Sequence, residues 1–127
     1  AYVDASRRRR MTNVAIVVLA DTDGHENLGR VVNALETTRE FAEADEDPKL
    51  IFDGAGTTWV PVLEDPGHDY HELYQSVRDH AAVCDYCSSA FDVADAVDAA
   101  GLATLDDHDG HPSIRRLVDE GYEVITF

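Results

Sequence analysis

The chain has 127 residues, with 26 acidic against 10 basic side chains and a formal net charge of −16. That length suits one single-core domain burying roughly two-thirds of its unfolded surface, and no stretch reaches the ~20 apolar residues a membrane span requires. So acidic a surface repels phosphate, which argues against sequence-independent nucleic-acid binding, because such binding rests on Lys and Arg displacing counterions.

Nine of the ten basic residues are Arg and only Lys49 is Lys. This resembles the proteome of a salt-accumulating halophile, and a haloarchaeal source is expected. Self-repulsion opposes compaction in dilute buffer, but at ~1 M salt the Debye length is about 3 Å and surface carboxylates hardly feel one another. Stability is therefore expected to rise with salt. The basic run Arg7 to Arg10 stands apart, ahead of Met11 and of the apolar pattern that begins at Val14. Residues 1–10 are expected to be a disordered upstream extension or expression remnant, with residues 11–127 forming one domain. That decapeptide, with four Arg and Asp4, carries +3 and leaves −19 on the rest of a chain at −16. No signal-peptide core follows the arginines, so the expected location is cytoplasmic. Thiols there stay reduced, and two cysteines three apart point to reactivity or metal binding more than to a structural disulfide.

Val14 to Ala20 is a short, β-branched apolar run broken by Asp21-Thr22-Asp23-Gly24, the pattern of a parallel strand buried on both faces. Leu28, Val31, Val32, Leu35 and Ala42 recur at helical spacing with Arg30, Glu36 and Glu40 turned outward, before Asp45-Glu46-Asp47-Pro48 ends the helix. Lys49 to Phe52 forms a second strand, closed by Asp53-Gly54-Ala55-Gly56, and the unit is a right-handed crossover. Thr57-Thr58 is expected to cap a short helical turn through Trp59 and Leu63. Tyr70, Leu73, Tyr74 and Val77 form the next stripe, leading to a third strand near Ala81 to Cys84. A helix is expected to start at Ser88 or Ser89, with Ala90, Phe91, Ala94 and Val97 inward, Asp92, Asp95 and Asp98 outward, and Gly101 at its C-cap. Leu102 to Leu105 is a possible edge strand. Pro112, read as one residue inside the helix start, opens a last helix through Ile114, Leu117 and Val118, and Tyr122 to Phe127 closes the sheet.

Alternating strands and helices give an α/β fold, a three-layer sandwich with a mostly parallel sheet of four or five strands, flavodoxin-like in class. Ligands in such folds bind beyond the carboxyl ends of the strands. Three loops gather there: residues 21–26, 53–58 and 84–88. The third carries Cys84-Asp85-Tyr86-Cys87, the most reactive chemistry in the chain.

The order of elements, the Phe52-Asp53-Gly54-Ala55-Gly56 turn after the second strand, and Val83-Cys84-Asp85-Tyr86-Cys87 leading into a helix together resemble the DsrE family of small sulfur-relay proteins, over residues 11–127. The resemblance implies a DsrE-like fold, a persulfide on the cysteine after the third strand, transfer of sulfur to or from a partner protein, and assembly into trimers, hexamers or mixed complexes. Cys84 matches the family's cysteine. Relatives often carry Gly some eight residues beyond it, where this chain has Asp92.

Sulfur transfer needs an exposed, nucleophilic thiolate. Amides at a helix start lower a thiol from its usual value near 8.5 by less than about one unit, and Asp85 opposes them, so a modest net depression is expected at Cys84. Cys87, one helical turn on, is placed to resolve a persulfide or close a disulfide. The expected activity is therefore a sulfurtransferase-like carrier with Cys84 and Cys87 as its reactive residues, no cofactor and no metal. Its alternatives are a dithiol-disulfide redox protein and a non-catalytic oligomeric interaction subunit.

A zinc set of Cys84, Cys87, His108 and His111 is disfavoured by spacing, since 20 residues separate Cys87 from His108 and the histidines are closer than in zinc fingers. They are expected on a solvated loop, with His111 a candidate cap for the last helix. Asp21, Asp23, His25 and Glu26 are expected to cap the first helix; a phosphoacceptor site would need a later Lys than Lys49. Gly24 and Gly29 do not make a dinucleotide fingerprint. His68, His71 and His80 are expected at the surface, and Trp59 and Tyr70 in the core or a subunit interface.

Overall fold

A computed structural model describes residues 12–127, and the expectation for residues 1–10 falls outside them. Five strands, β1 (Val14–Val18), β2 (Lys49–Phe52), β3 (Ala81–Cys84), β4 (Ala103–Leu105) and β5 (Glu123–Thr126), form one sheet in the order β4-β3-β2-β1-β5. Every pairing is parallel. The segment from Leu102 is thus an edge strand. Six α-helices alternate with the strands: α1 (Gly24–Glu43), α2 (Trp59–Glu64), α3 (His71–Val77), α4 (Asp85–Ala90), α5 (Ala94–Ala100) and α6 (Ile114–Asp119). Short 3₁₀ turns, Gly54–Thr58 and Arg78–His80, precede α2 and β3. Helices on both faces make the expected three-layer α/β sandwich.

The layers are unequal because the chain winds from β1 to β4 in one direction and returns to β5 only once. Right-handed crossovers then put the helices of the outward path on one face and the returning helix on the other. On the thick side Val14, Ile16, Val18, Leu50, Phe52 and Val83 pack against Val31 and Leu35 of α1, Trp59 and Leu63 of α2, Tyr74 of α3 and Val97 of α5. On the thin side Ala15, Val17 and Ile51 meet little more than Leu117 of α6. The strand alternation thus sorts odd and even positions of β1 into two cores.

Trp59 resolves to the core, with its indole N–H donating to Ala20 O at 3.0 Å. Thr57 and Thr58 do not cap α2 with their side chains; both hydroxyls donate to carbonyls three residues back, of Gly54 and Ala55. His71 and His80 are half-buried, with ring nitrogens against Leu63 O and Pro48 O. Asp23 occupies the N-cap position of α1 without a side-chain cap bond.

The single helix expected behind the cysteines is two. It starts at Asp85, three residues before Ser88, and breaks after Ala90, where Asp92 takes φ 58° before α5 resumes. Periodicity alone does not register that left-handed residue. Gly101 is the expected C-cap, with φ 69°. At the last helix Ser113, not Pro112 or His111, is the N-cap, its hydroxyl accepting from Arg116 N at 3.1 Å.

Candidate functional site

Strand register brings the first two groups together. Phe52 pairs with Val83, so Asp53 and Cys84 are the next residues of their strands. Phe52 and Val83 both point into the thick core, which turns the residue after each toward the thin side at the carboxyl edge of the sheet.

Asp53 is held by the turn that follows β2. Its Oδ1 accepts from Gly54 N at 2.8 Å, and Gly56 N donates to its carbonyl at 2.8 Å. Gly56 is required there: a Cβ on it would lie 2.0 Å from Val18 O.

Cys84 ends β3 and serves as N-cap of α4, its sulfur accepting from Cys87 N at 3.4 Å. One turn of helix brings Cys87 back over Cys84.

The third contributor arrives from the β4–α6 connection on the thin side. His108 and His111 exchange backbone hydrogen bonds at 2.8 and 2.7 Å across Asp109-Gly110. Both central residues have positive φ, 49° and 85°, the signature of the type I′ turn that Asp-Gly favours. Tyr86 N donates to Gly110 O at 2.8 Å and fastens this hairpin to α4. His111 therefore lies over the cysteines, its ring centroid 4.7 Å from that of Tyr86. His108 remains exposed.

The result is a cluster of Asp53, Cys84, Cys87 and His111 whose donor atoms all lie within 4.8 Å of one another. Nδ1 of His111 is 3.3 Å from Cys84 Sγ and 3.8 Å from Cys87 Sγ, and Cys87 Sγ is 3.6 Å from Asp53 Oδ1. Both predicted residues, Cys84 and Cys87, are in it and both thiols are free. Of the four residues in the zinc set that spacing disfavoured, Cys84, Cys87 and His111 do come together, His108 does not, and Asp53 is the partner that spacing along the chain did not single out. Asp85, expected to oppose the thiolate, is exposed.

One expectation is reversed. Cys84 is fully buried, not presented to solvent, and Cys87 is 8% exposed. Burial, above all, pushes the Cys84 thiol up to about 12 instead of lowering it; the Cys87 amide works against that, while the Cys87 thiol and the negative Asp53 add to it. Desolvation penalises a thiolate more than one N–H bond repays. The resting Cys84 is a neutral thiol able to donate to His111 Nδ1. On the outer side of α4 lies a groove of about 420 Å³ lined by Asp85, Tyr86, Ser89, Ala90 and Gly110, neither cysteine among them.

The acidic loop after β1 takes no part: Asp21, Asp23, His25 and Glu26 are exposed, and Glu26 pairs with Arg30 at 2.6 Å. Among the described residues no helix is long and apolar enough to cross a membrane.

No family model matches the chain. Among curated proteins it is similar to the uncharacterized protein MJ0733 of Methanocaldococcus jannaschii, with 27% identity over 99 residues covering 78% of this chain and 81% of that protein. Among solved structures it is similar to a conserved protein of unknown function, BT1422, from Bacteroides thetaiotaomicron, with TM-score 0.63 and 15% identity over 89% of this chain and 94% of that one. At that identity the likeness extends to the α/β fold alone.

Proposed function

We propose that the protein is a cytoplasmic sulfur carrier that receives sulfur as a persulfide on Cys84 and passes it to a partner protein, with Cys87 as the accessory thiol. The observation that supports this reading is the 3.3 Å separation of Cys84 Sγ and His111 Nδ1, which gives a buried neutral thiol a base within reach. The resemblance of the Cys84 segment and the Asp53 turn to the DsrE family points the same way.

In the proposed step His111 takes the Cys84 proton, and the resulting ion pair needs less solvent than a lone thiolate. The sulfur anion attacks the outer sulfur of a donor persulfide. A new S–S bond forms on Cys84, the donor's S–S bond breaks, and the donor leaves as a thiolate that takes the proton from His111. One sulfur and one proton change hands, and no external oxidant is consumed. Delivery is the same exchange in reverse, with an acceptor thiolate attacking the outer sulfur. Burial shields the loaded persulfide from water and from stray thiols, and the groove beside Tyr86 and Gly110 offers the donor an approach.

A dithiol-disulfide role is the second reading, favoured by the closeness of the two sulfurs. Attack by Cys87 on the inner sulfur closes a Cys84–Cys87 disulfide and releases hydrosulfide. Assembly into a homo-oligomer, trimer or hexamer, belongs to the same proposal; Ile114 and Val118 on the outer side of α6 are exposed apolar side chains for such contacts.

Intact-mass measurement of the reduced protein after incubation with a low-molecular-weight persulfide tests the proposal. Carrier function predicts the gain of one sulfur atom that Cys84→Ser abolishes; loss of two hydrogens without sulfur gain favours the dithiol reading. An unchanged mass would leave only an interaction subunit.

A further inference from the structure

From the same four side chains we infer a second capacity, which does not rest on sulfur transfer but competes with it: Asp53, Cys84, Cys87 and His111 form a four-ligand site for one thiophilic divalent cation, zinc by the chemistry of its donors. Two thiolates, one imidazole and one carboxylate are a zinc set, and the soft sulfurs select against magnesium and calcium.

The geometry is that of a set of ligands around a point. With zinc–sulfur bonds near 2.3 Å and zinc–nitrogen or zinc–oxygen bonds near 2.0 Å, the edges of a tetrahedron measure roughly 3.3–3.8 Å. Three edges of the cluster measure 3.3, 3.6 and 3.8 Å and the other three are no longer than 4.8 Å, so an entering ion has to draw each group in by about an ångström at most. The groups come from four places, the ends of β2 and β3, the first turn of α4 and the Asp109-Gly110 hairpin, so the fold organises them before any ion arrives.

Their supports are of the kind that orient metal ligands. Gly54 N holds the Asp53 carboxylate, Cys87 N points at Cys84 Sγ, and the Tyr86 ring packs against His111 at an interplanar angle of 39°. His108, the histidine that spacing would have enlisted, is exposed and absent from the cluster.

Binding is proton-balanced: Zn²⁺ enters, Cys84 and Cys87 each release a proton to solvent, and the site is left with a net charge of −1. That release makes affinity rise with pH. A cation bridging both sulfurs also removes the nucleophile, so metal-loaded protein takes up no sulfur until a chelator withdraws the ion.

The test is titration of the reduced, metal-free full chain in molar KCl with Co²⁺ and then Zn²⁺, followed by absorption and by native mass. One ion per chain is expected, with the intense d–d bands of tetrahedral cobalt, thiolate-to-cobalt charge transfer, and displacement by zinc. Asp53→Ala and His111→Ala are expected to weaken zinc binding roughly tenfold or more, whereas His108→Ala leaves it unchanged. A weak octahedral cobalt spectrum, less than one ion per wild-type chain, or affinity insensitive to Asp53→Ala and His111→Ala would overturn the inference. Sulfur loading of the metal-free protein is read separately by intact mass, so failure of either capacity leaves the other standing.

Discussion

Cys84 and His111 are 27 residues apart in the chain, yet Sγ of the one and Nδ1 of the other are 3.3 Å apart. One lies at the end of β3 and the other just past the Asp109-Gly110 turn, and the Tyr86 N to Gly110 O bond of 2.8 Å joins the two segments. If this imidazole is the base for the thiol, His111→Ala slows sulfur uptake by roughly 100-fold, the usual contribution of a positioned base. Loading followed by mass over time measures it; a His111→Ala rate equal to wild type would remove the imidazole from the mechanism.

Burial, the leading cause, holds the Cys84 thiol up at about 12, against an ordinary value of 9.0. Its alkylation rate is therefore expected to climb about tenfold per pH unit from pH 7 to 10, without the plateau that an ordinary thiol shows. The same shift has a stability consequence. The unfolded chain loses this proton near pH 9 while the folded chain retains it, so the contribution is intact below pH 9 and is lost as pH rises toward 12. Cys84→Ala should flatten that alkaline decline in denaturant titrations. A plateau in alkylation near pH 9 would show the thiol to be solvated.

Glu64 fastens the thick layer. It accepts from Tyr74 Oη and, at 2.8 Å, from Arg78 Nε, and Arg78 also donates to Ala100 O at the end of α5. Burial acts to raise the Glu64 carboxyl, but the bonds from Arg78 and Tyr74 outweigh it and leave it below its ordinary 4.5. Tyr74 is shifted upward by its own burial first and by Glu64 second. With a depressed carboxylate, the stabilisation is complete above pH 4.5 and fades as pH falls through the folded value. Tyr74→Phe is expected to cost about 1 kcal/mol, and Glu64→Gln to lessen the acid sensitivity of the melting temperature. Identical acid profiles for Glu64→Gln and wild type would contradict this.

Asp92 joins α4 to α5 with φ 58°, a conformation in which a Cβ is strained and glycine is not. Asp92→Gly is expected to stabilise the protein by up to about 1 kcal/mol while leaving sulfur uptake unchanged, measured by urea denaturation. A loss of stability would mean that the aspartate side chain offsets its own strain.

Acidic side chains outnumber basic ones 26 to 10, and the described ion pairs involving Arg30, Arg39, Arg115 and Arg116 are on exposed groups. Such pairs contribute little, whereas screening the excess charge acts on the whole surface. The melting temperature is expected to rise steadily from dilute buffer to molar KCl; a flat response would contradict the halophilic reading.

The strands were legible because Val14 to Val18, Leu50 to Phe52 and Ala81 to Cys84 are short apolar runs bounded by polar breaks, and parallel burial leaves that mark in the sequence. Cys84 and Cys87 were legible as chemistry for the same reason, since a strand end fixes where they emerge. The break at Asp92 was not, because Phe91, Ala94 and Val97 keep a helical spacing across it. His111 was grouped with the cysteines in a zinc set and set aside on spacing, although Asp109-Gly110 between two histidines carries a hairpin signal that turns the loop back on itself. Asp53 required the register, in which Phe52 faces Val83. Burial of Cys84 followed from that hairpin, whose Gly110 and His111 cover a thiol that the sheet edge alone would have left exposed.

Sulfur transfer requires Cys84 to act as a sulfur acceptor despite being fully buried, and site-resolved mass after persulfide treatment reads this directly. One added sulfur on the Cys84 peptide, absent in Cys84→Ser and present in His108→Ala, is the predicted result. A wild-type protein that gains no sulfur, or gains it equally in Cys84→Ser, would contradict it.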